Sequence, residues 1–250
     1  MLNIRIGMVD FRRLVGVGVL ALALLVLLLA ATGWQLSSQD NGAREVGVGV
    51  PGTSGYRFAG RIDQEGAAFT GYGYLYDVQG LNPNELFADP INTSETTAHF
   101  TYYATATLTA RAVVTDAVRG IFALDSVGLI TFYYHLTPTA SFDDPLSFAA
   151  GTPIATASLR FQDILNVQSP NRGVAEGHGE FATQTAEPFT FGNETLRFGQ
   201  VGLVHRVSTF GEGLRTNPVI PRSSVLLAGD AVNTGFRQTF MPTVSNANTP

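Results

Sequence analysis

The feature that most constrains the fold is an alternation of apolar and polar side chains, with a period of two, through most of the chain after residue 55. It is clearest over residues 97–115, where the even positions are apolar and the odd positions are mostly threonine. Successive side chains of a strand point to opposite faces, so this pattern predicts a half-buried antiparallel strand. The segment is long for one flat strand, and we therefore expect a bend or bulge within it.

The same alternation predicts eight further strands, separated by turns rich in Gly, Pro, Asn and Asp. They are expected over residues 56–62, 69–78, 122–136, 154–167, 173–185, 189–198, 201–210 and 223–232. One helical turn is expected over residues 82–87, because the Asn-Pro-Asn-Glu at its start can begin a helix. Many short strands with glycines inside them predict an all-β domain over residues 56–232, an antiparallel β-barrel-like fold with a β-sandwich as the alternative.

The N-terminal region carries an uncharged apolar run, Leu14–Ala31, of the length that a membrane-spanning helix needs. Arginines precede this run, and Asp40 is the first charge after it, so the positive-inside rule places the N-terminus in the cytoplasm. We therefore expect a cytoplasmic stretch over residues 1–13, a transmembrane helix or signal segment over 14–34 and a membrane-anchored, extracytoplasmic domain. Secretion after cleavage of a signal is the alternative. Residues 35–55 are expected to be a flexible linker, and 233–250 a disordered tail.

Composition excludes several kinds of chemistry. The chain has no cysteine, and all 15 of its basic residues are arginine. Disulfides, thiolate nucleophiles, lysine Schiff bases and the P-loop lysine are therefore absent. Beyond residue 34 the chain holds 12 Arg against 19 Asp and Glu, a net charge of −7, which disfavours nucleic-acid binding. No sequence pattern indicates a cofactor.

Tyrosines supply the most promising binding surface. Tyr72, Tyr74 and Tyr76 alternate along one predicted strand, and Tyr102 and Tyr134 lie on neighbouring strands. An aromatic wall with hydroxyl tips suits the lumen of a barrel that binds a small ligand, and packing in the core is the other interpretation. An open, tyrosine-lined lumen above about 300 Å³ would favour a ligand-binding or enzymatic barrel over a structural module.

Histidines and carboxylates give weaker candidates for catalysis or metal binding. Glu176, His178 and Glu180 would share one face of a strand and could hold a divalent metal, or they could form a solvated strand face. His99 and His135 would meet at one end of the sheet if their strands form a hairpin, and they or His178 could act as an acid or base. The arginines of the polar strand faces (Arg57, Arg61, Arg111 and Arg160) could bind a carboxylate or form surface ion pairs.

The segment Gly173–Thr183, GVAEGHGEFAT, is similar to the glycine-rich strand of allene oxide cyclase and dirigent-type barrels. The similarity covers about a dozen residues and depends on the glycines and one phenylalanine. It implies an eight-stranded barrel with a hydrophobic lumen, and it carries over no functional residue.

The standard catalytic motifs are missing, since there is no nucleophile elbow, HExxH or P-loop. The sequence therefore favours a non-enzymatic domain that binds a small apolar or amphipathic ligand or a surface partner. An isomerase or cyclase that uses a histidine acid or base is the alternative, and a structural or adhesive surface module is the second alternative.

Overall fold

The computed structural model describes residues 42–116, 119–217 and 222–236. Nearly all of the regular structure within these ranges is β-strand, which confirms the all-β prediction. The strands are β1 (Arg44–Val46), β2 (Ser54–Glu65), β3 (Ala68–Val78), β4 (Phe100–Thr115), β5 (Gly120–Tyr134), β6 (Thr152–Ser169), β7 (Arg172–Ala186), β8 (Pro188–Phe191), β9 (Glu194–Phe198), β10 (Leu203–Asn217) and β11 (Arg222–Phe236).

The eight long strands form one antiparallel sheet in the order β10-β11-β2-β3-β4-β5-β6-β7. The last strand of this order, β7, also pairs with the first, β10, along residues 172–182 and 204–214. Each of the eight strands therefore has two hydrogen-bonded neighbours, and the sheet closes on itself. We refer to it as the closed sheet, and to the space that it surrounds as the lumen.

The alternation predicted from sequence sets the two faces of the closed sheet. In β4 the even residues Phe100, Tyr102 and Ala104 are buried and face the lumen, whereas Thr105 and Thr107 are exposed. The register between β4 and β5 shifts by one residue between Leu108 and Ala110, which confirms the expected bulge. Before this bulge the even-numbered residues of β4 face the lumen, and beyond it the odd-numbered residues do.

The two ends of the closed sheet differ. At one end, here called the hairpin end, the strands are joined by short connections, β2 to β3, β4 to β5, β6 to β7 and β10 to β11. At the other end, here called the capped end, a small sheet of β1, β9 and β8 covers the lumen. Two short 3-10 helices, Pro83–Glu85 and Pro145–Ala149, lie in the long connections at the capped end. The first lies in the helical turn predicted over 82–87, and the second was not predicted.

The small sheet corrects two sequence predictions. Residues 44–46 pair in parallel with β9, and β2 begins at Ser54, so the predicted flexible linker over 35–55 contains part of the folded domain. The strand predicted over 189–198 is a hairpin instead, because Gly192, with φ of 57°, turns the chain between β8 and β9. Glycine adopts this left-handed conformation without the steric cost that a side chain brings.

Several predictions lie outside the described residues. They are the cytoplasmic stretch 1–13, the transmembrane or signal segment 14–34, the linker up to residue 41 and the tail beyond residue 236. At the start of the predicted tail, β11 continues to Phe236. In the part of the chain that the structure describes, no helix has the length and apolar character needed to cross a membrane.

Candidate functional site

A cavity of about 60 Å³ lies inside the closed sheet, between its middle and the hairpin end. Its wall is mostly apolar, and one charged residue, Asp163, contributes to it. The lining residues are Phe58, Ile62, Phe69, Gly71, Tyr102, Ala104, Ala106, Ser126, Ile130, Leu159, Phe161, Asp163, Phe181, Thr209 and Leu227.

Small inward-facing residues leave this space open. On one side the wall consists of Gly71, Ala104 and Ala106, which fill little volume. On the opposite side the ring of Phe161 lies against Gly177 and Gly179, where a Cβ atom on either glycine would collide with it. These two glycines, which alternate with the candidate metal ligands on β7, therefore make room for an aromatic ring inside the lumen.

Asp163 is the most unusual group in the cavity. It faces the lumen from β6 between Phe161 and Leu165, and its side chain is partly buried. Removal of the carboxyl group from water raises the pKa of Asp163 to about 7. Near neutral pH this group can therefore either donate or accept a hydrogen bond, and it can exchange a proton with a ligand.

Two hydroxyl groups accompany this carboxyl. Asp163 pairs across the sheet with Gly177, and Gly177 pairs with Thr209, so Asp163 and Thr209 flank a residue that has no side chain. Ser126 lies on the neighbouring strand, where its hydroxyl donates a weak hydrogen bond of 3.4 Å to the Phe161 carbonyl. The cavity thus has one ionisable group and two hydroxyls on an otherwise apolar wall.

Tyr102 closes the cavity toward the capped end. Its hydroxyl oxygen approaches Gly60 and Gly73 so closely that neither position has room for a Cβ atom. Burial raises the pKa of Tyr102, and the neighbouring Tyr74 adds to this effect, so the phenol stays protonated. Of the five tyrosines predicted to bind ligand, Tyr102 is the one that lines the cavity.

The other predicted tyrosines lie elsewhere, which corrects the expectation of a tyrosine-lined lumen. On β3, Phe69 and Gly71 line the cavity. Tyr72 and Tyr74 lie at the alternate positions of this strand, so their side chains face outward. Loops cover these side chains: Tyr72 packs against Phe148 and donates a hydrogen bond of 2.5 Å to Asp63. Tyr74 packs against a loop residue, Phe87, while Tyr76 is 37% exposed.

Tyr134 belongs to an aromatic plug at the capped end. Its ring centroid lies 5.2 Å from that of Phe189 and 5.5 Å from that of Phe100. On the other side of the plug, Phe198 lies 4.8 Å from Phe132. These rings fill the lumen at the capped end, so the space available to a ligand is at the hairpin end.

His99 and His135 lie side by side, as the hairpin interpretation predicted, but away from the cavity. The His135 backbone N–H donates to the His99 carbonyl, and His99 Nδ1 donates to the His135 carbonyl over 2.7 Å. The His135 Nε2 hydrogen bonds to Thr101 Oγ1 over 2.9 Å, and Thr101 donates to the carbonyl of Phe148. Burial lowers the pKa of His135, and its polar atoms serve to hold the loop over residues 145–149.

The candidate metal trio, Glu176, His178 and Glu180, lies on the outer face of β7, as the alternative of a solvated strand face implied. Glu176 and His178 are hydrogen-bonded over 3.1 Å, and Arg206 binds Glu180 over 2.9 Å. The third ligand is therefore engaged by a neighbouring strand rather than aimed at the first two. Among the described residues, no group of three or more metal-binding side chains is close enough to hold an ion.

Sequence reasoning missed Asp163, although a signal for it was present. Asp163 is an odd-numbered residue of β6, and the other odd-numbered residues form the apolar face of this strand. They are Ala155, Ala157, Leu159, Phe161 and Leu165. A carboxylate on the apolar face of a strand is costly to bury and so marks a candidate site. Thr209 carried no comparable signal, because threonine is common on both faces of a strand.

No protein-family model matches the chain, and neither a curated protein nor a solved structure matches it significantly. The similarity of residues 173–183 to allene oxide cyclase and dirigent-type barrels therefore remains a likeness of one strand.

Proposed function

We propose that this domain is a β-barrel that binds a small apolar or amphipathic ligand in its lumen, with the ligand entering from the hairpin end. The observation that carries the proposal is the single carboxyl of Asp163 in an apolar cavity. Ligand sites are commonly apolar hollows with a few polar groups that orient the ligand. Between the two architectures that the sequence allows, the closed pairing of eight strands supports the barrel.

The size of the cavity limits the part of a ligand that it can hold. Its 60 Å³ is well below the roughly 300–1,000 Å³ of sites for drug-sized molecules. Apolar cavities of modest size nevertheless bind apolar molecules. We therefore propose that only a few carbon atoms enter the lumen, and that the rest of the ligand lies at the hairpin end.

A cavity-filling variant tests this proposal. A Cβ atom on Gly71 would meet Ala104 Cβ at 3.6 Å and Ile62 Cγ1 at 3.7 Å, which is ordinary van der Waals contact. Gly71→Ala should therefore preserve the fold while reducing the cavity. The full chain in lipid nanodiscs would be screened with short n-alcohols by thermal shift, since binding to the folded state raises the melting temperature.

We expect short alcohols to raise the melting temperature of the wild-type protein and to raise that of Gly71→Ala less. Ala228→Gly, a change on the outer face of β11, serves as the matched control that leaves the cavity unaltered. No shift with any alcohol, or an equal shift in Gly71→Ala, would reject the lumen as the site. The first of these outcomes would favour the structural or adhesive module.

An isomerase or cyclase is the second candidate, with Asp163 rather than a histidine as the acid or base. The pKa of Asp163 near 7 favours it, because proton transfer is most efficient when the pKa of the group lies near the working pH. A bound ligand that is recovered unchanged supports simple binding. Chemical conversion that is lost in Asp163→Asn while binding persists would support the enzyme.

We also propose that residues 14–34 tether the domain to a membrane, with the N-terminus in the cytoplasm and the domain outside. The uncharged run and the arginines that precede it support this proposal. Protease treatment of intact cells should remove the domain and spare a tag at the N-terminus. Protection of the domain would reject the orientation, and recovery of a soluble chain that lacks the N-terminus would support signal cleavage.

A further inference from the structure

A row of three residues crosses the inner face of the closed sheet near the hairpin end. Arg111 on β4 pairs with Leu124 on β5, and Leu124 pairs with Asp163 on β6. Directly opposed residues of neighbouring strands point to the same face. Leu124 is buried, so Arg111 and Asp163 both lie on the lumen side, about 10 Å apart at two strand spacings.

The bulge in β4 is the reason that an arginine faces inward here. Before the bulge, the odd residues of β4 are the outward threonines, and Arg111 was predicted on that polar face. The register shift between Leu108 and Ala110 reverses the parity and turns Arg111 toward the lumen. One irregularity in the sheet therefore places an exposed cation on the inner face, in the same row as Asp163 of the apolar cavity.

Arg111 is exposed, and a ring contact orients its side chain. Its guanidinium carbon lies 5.4 Å from the centroid of the Phe122 ring, in the arrangement of a cation–π contact. Within the described residues, no carboxylate lies within ion-pair distance of this guanidinium. By contrast, Arg57, Arg61 and Arg206 on the outer face each pair with an acidic residue.

We infer that this row selects an amphipathic monocarboxylate. Arg111 binds the carboxylate of the ligand, and the alkyl part passes Asp163 into the cavity. This inference rests on the proposed function, because it specifies the ligand of the same lumen. A planar guanidinium offers two parallel N–H groups that match a carboxylate, and an apolar cavity beside it accepts the alkyl chain.

Asp163 makes this binding dependent on pH. Asp163 is the charged residue of the cavity lining, and the lining from β3, β7 and β10 contributes only uncharged groups. Two arginines share the inner face nearer the rim of the hairpin end: Arg111 of β4, in the row of Leu124, and Arg215 of β10, at the inward parity of Gly211 and Gly213. Protonated Asp163 can donate a hydrogen bond to a bound carboxylate, whereas ionised Asp163 repels it. The affinity for a carboxylate should therefore fall as the pH rises through about 7.

A comparison of hexanoate with 1-hexanol tests the inference, because the two share an alkyl chain and differ in charge. The full chain in lipid nanodiscs would be titrated calorimetrically with each, and empty nanodiscs would correct for partitioning. We expect hexanoate to bind about tenfold more tightly than hexanol at about pH 6, where most Asp163 is protonated. Arg111→Gln should remove most of this difference, because the variant loses affinity for hexanoate.

Arg160→Gln is the matched control, since Arg160 is an exposed arginine on the outer face of β6. Equal binding of hexanoate and hexanol, or an Arg111→Gln variant with undiminished hexanoate affinity, would overturn the inference and leave the lumen proposal intact. Absence of binding by both compounds would reject the lumen proposal itself. The two failures are therefore distinguishable.

Discussion

The ring of Phe161 lies over Gly177 so closely that a Cβ atom placed on this glycine would be 2.5 Å from Phe161 Cζ. This contact joins two strands inside the lumen and sets the wall of the cavity beside Asp163. Gly177→Ala should therefore force the ring to move, at a cost of about 1–3 kcal/mol in the free energy of unfolding. Urea denaturation of both proteins measures this difference.

A second substitution separates this cause from a general effect of alanine. Leucine at position 161 is smaller than phenylalanine at the point of contact. Phe161→Leu should therefore reduce the free energy of unfolding less in the Gly177→Ala background than in the wild-type protein. Gly71→Ala, where a Cβ atom has room, should change the stability by no more than about 0.5 kcal/mol. Additive effects of Gly177→Ala and Phe161→Leu would show that the two residues do not compete for space.

Alternation predicted the strands well because each long strand has one face in the lumen and one face in solvent. The odd parity of β6 and the bulge in β4 both followed from it. Alternation could not show which face of β3 lies in the lumen, because the inner face has glycines at positions 71 and 73 and the outer face has tyrosines. Local periodicity also carries no information about the loops that bury Tyr72 and Tyr74 on the outside of the sheet.

The site was harder to predict than the fold for a related reason. Arg111 faces inward only because the register shifts by one residue, and a one-residue shift reverses the direction of every side chain that follows. The cation–carboxyl row across β4, β5 and β6 also depends on which strands pair. A single sequence does not specify that pairing.

The aromatic plug at the capped end should account for a large part of the stability. Phe198 is buried, with its ring 4.8 Å from Phe132 and 5.4 Å from Tyr56. Phe198→Ala should reduce the free energy of unfolding by about 3–5 kcal/mol, because it removes buried surface and leaves a void. Phe210→Ala, a change at a side chain 63% exposed on the outer face, should cost less than about 0.5 kcal/mol. Similar costs for both would show that the plug does not support the sheet.

Buried histidines should make the domain sensitive to acid. Burial lowers the pKa of His205, whose Nε2 donates a hydrogen bond of 3.2 Å to the Gly47 carbonyl, and burial also lowers that of His135. As the pH falls below about 6.5 the unfolded chain takes up protons first, so stability is lost. His205→Gln retains a donor and should lose less stability than the wild type between about pH 7.5 and pH 5. The exposed His178→Gln serves as its control, and an unchanged pH dependence in His205→Gln would contradict this origin.

Asp163 should have the opposite effect on stability. Its pKa is raised from 3.8 to about 7, so the folded state holds its proton more tightly than the unfolded state. The contribution of Asp163 to the free energy of unfolding is fully present below about pH 4 and is lost as the pH rises through about 7. The whole shift corresponds to about 4 kcal/mol, and partial contact of the carboxyl with water reduces it, so we expect on the order of 2 kcal/mol. Asp163→Asn stays neutral and should be more stable than the wild type at about pH 8, with the advantage vanishing near pH 4.

Urea denaturation of the two proteins across this pH range measures the difference directly. Asp143→Asn, at an exposed loop position, is the control for removing a carboxylate from the chain. A difference between Asp163→Asn and the wild type that stays constant with pH would mean that the Asp163 carboxyl ionises normally in the folded state. In that case the carboxyl would be solvated at the opening rather than held in the apolar wall. A growing advantage of the asparagine variant between about pH 4 and pH 7 would show that the lumen keeps water away from this carboxyl, which a ligand site there requires.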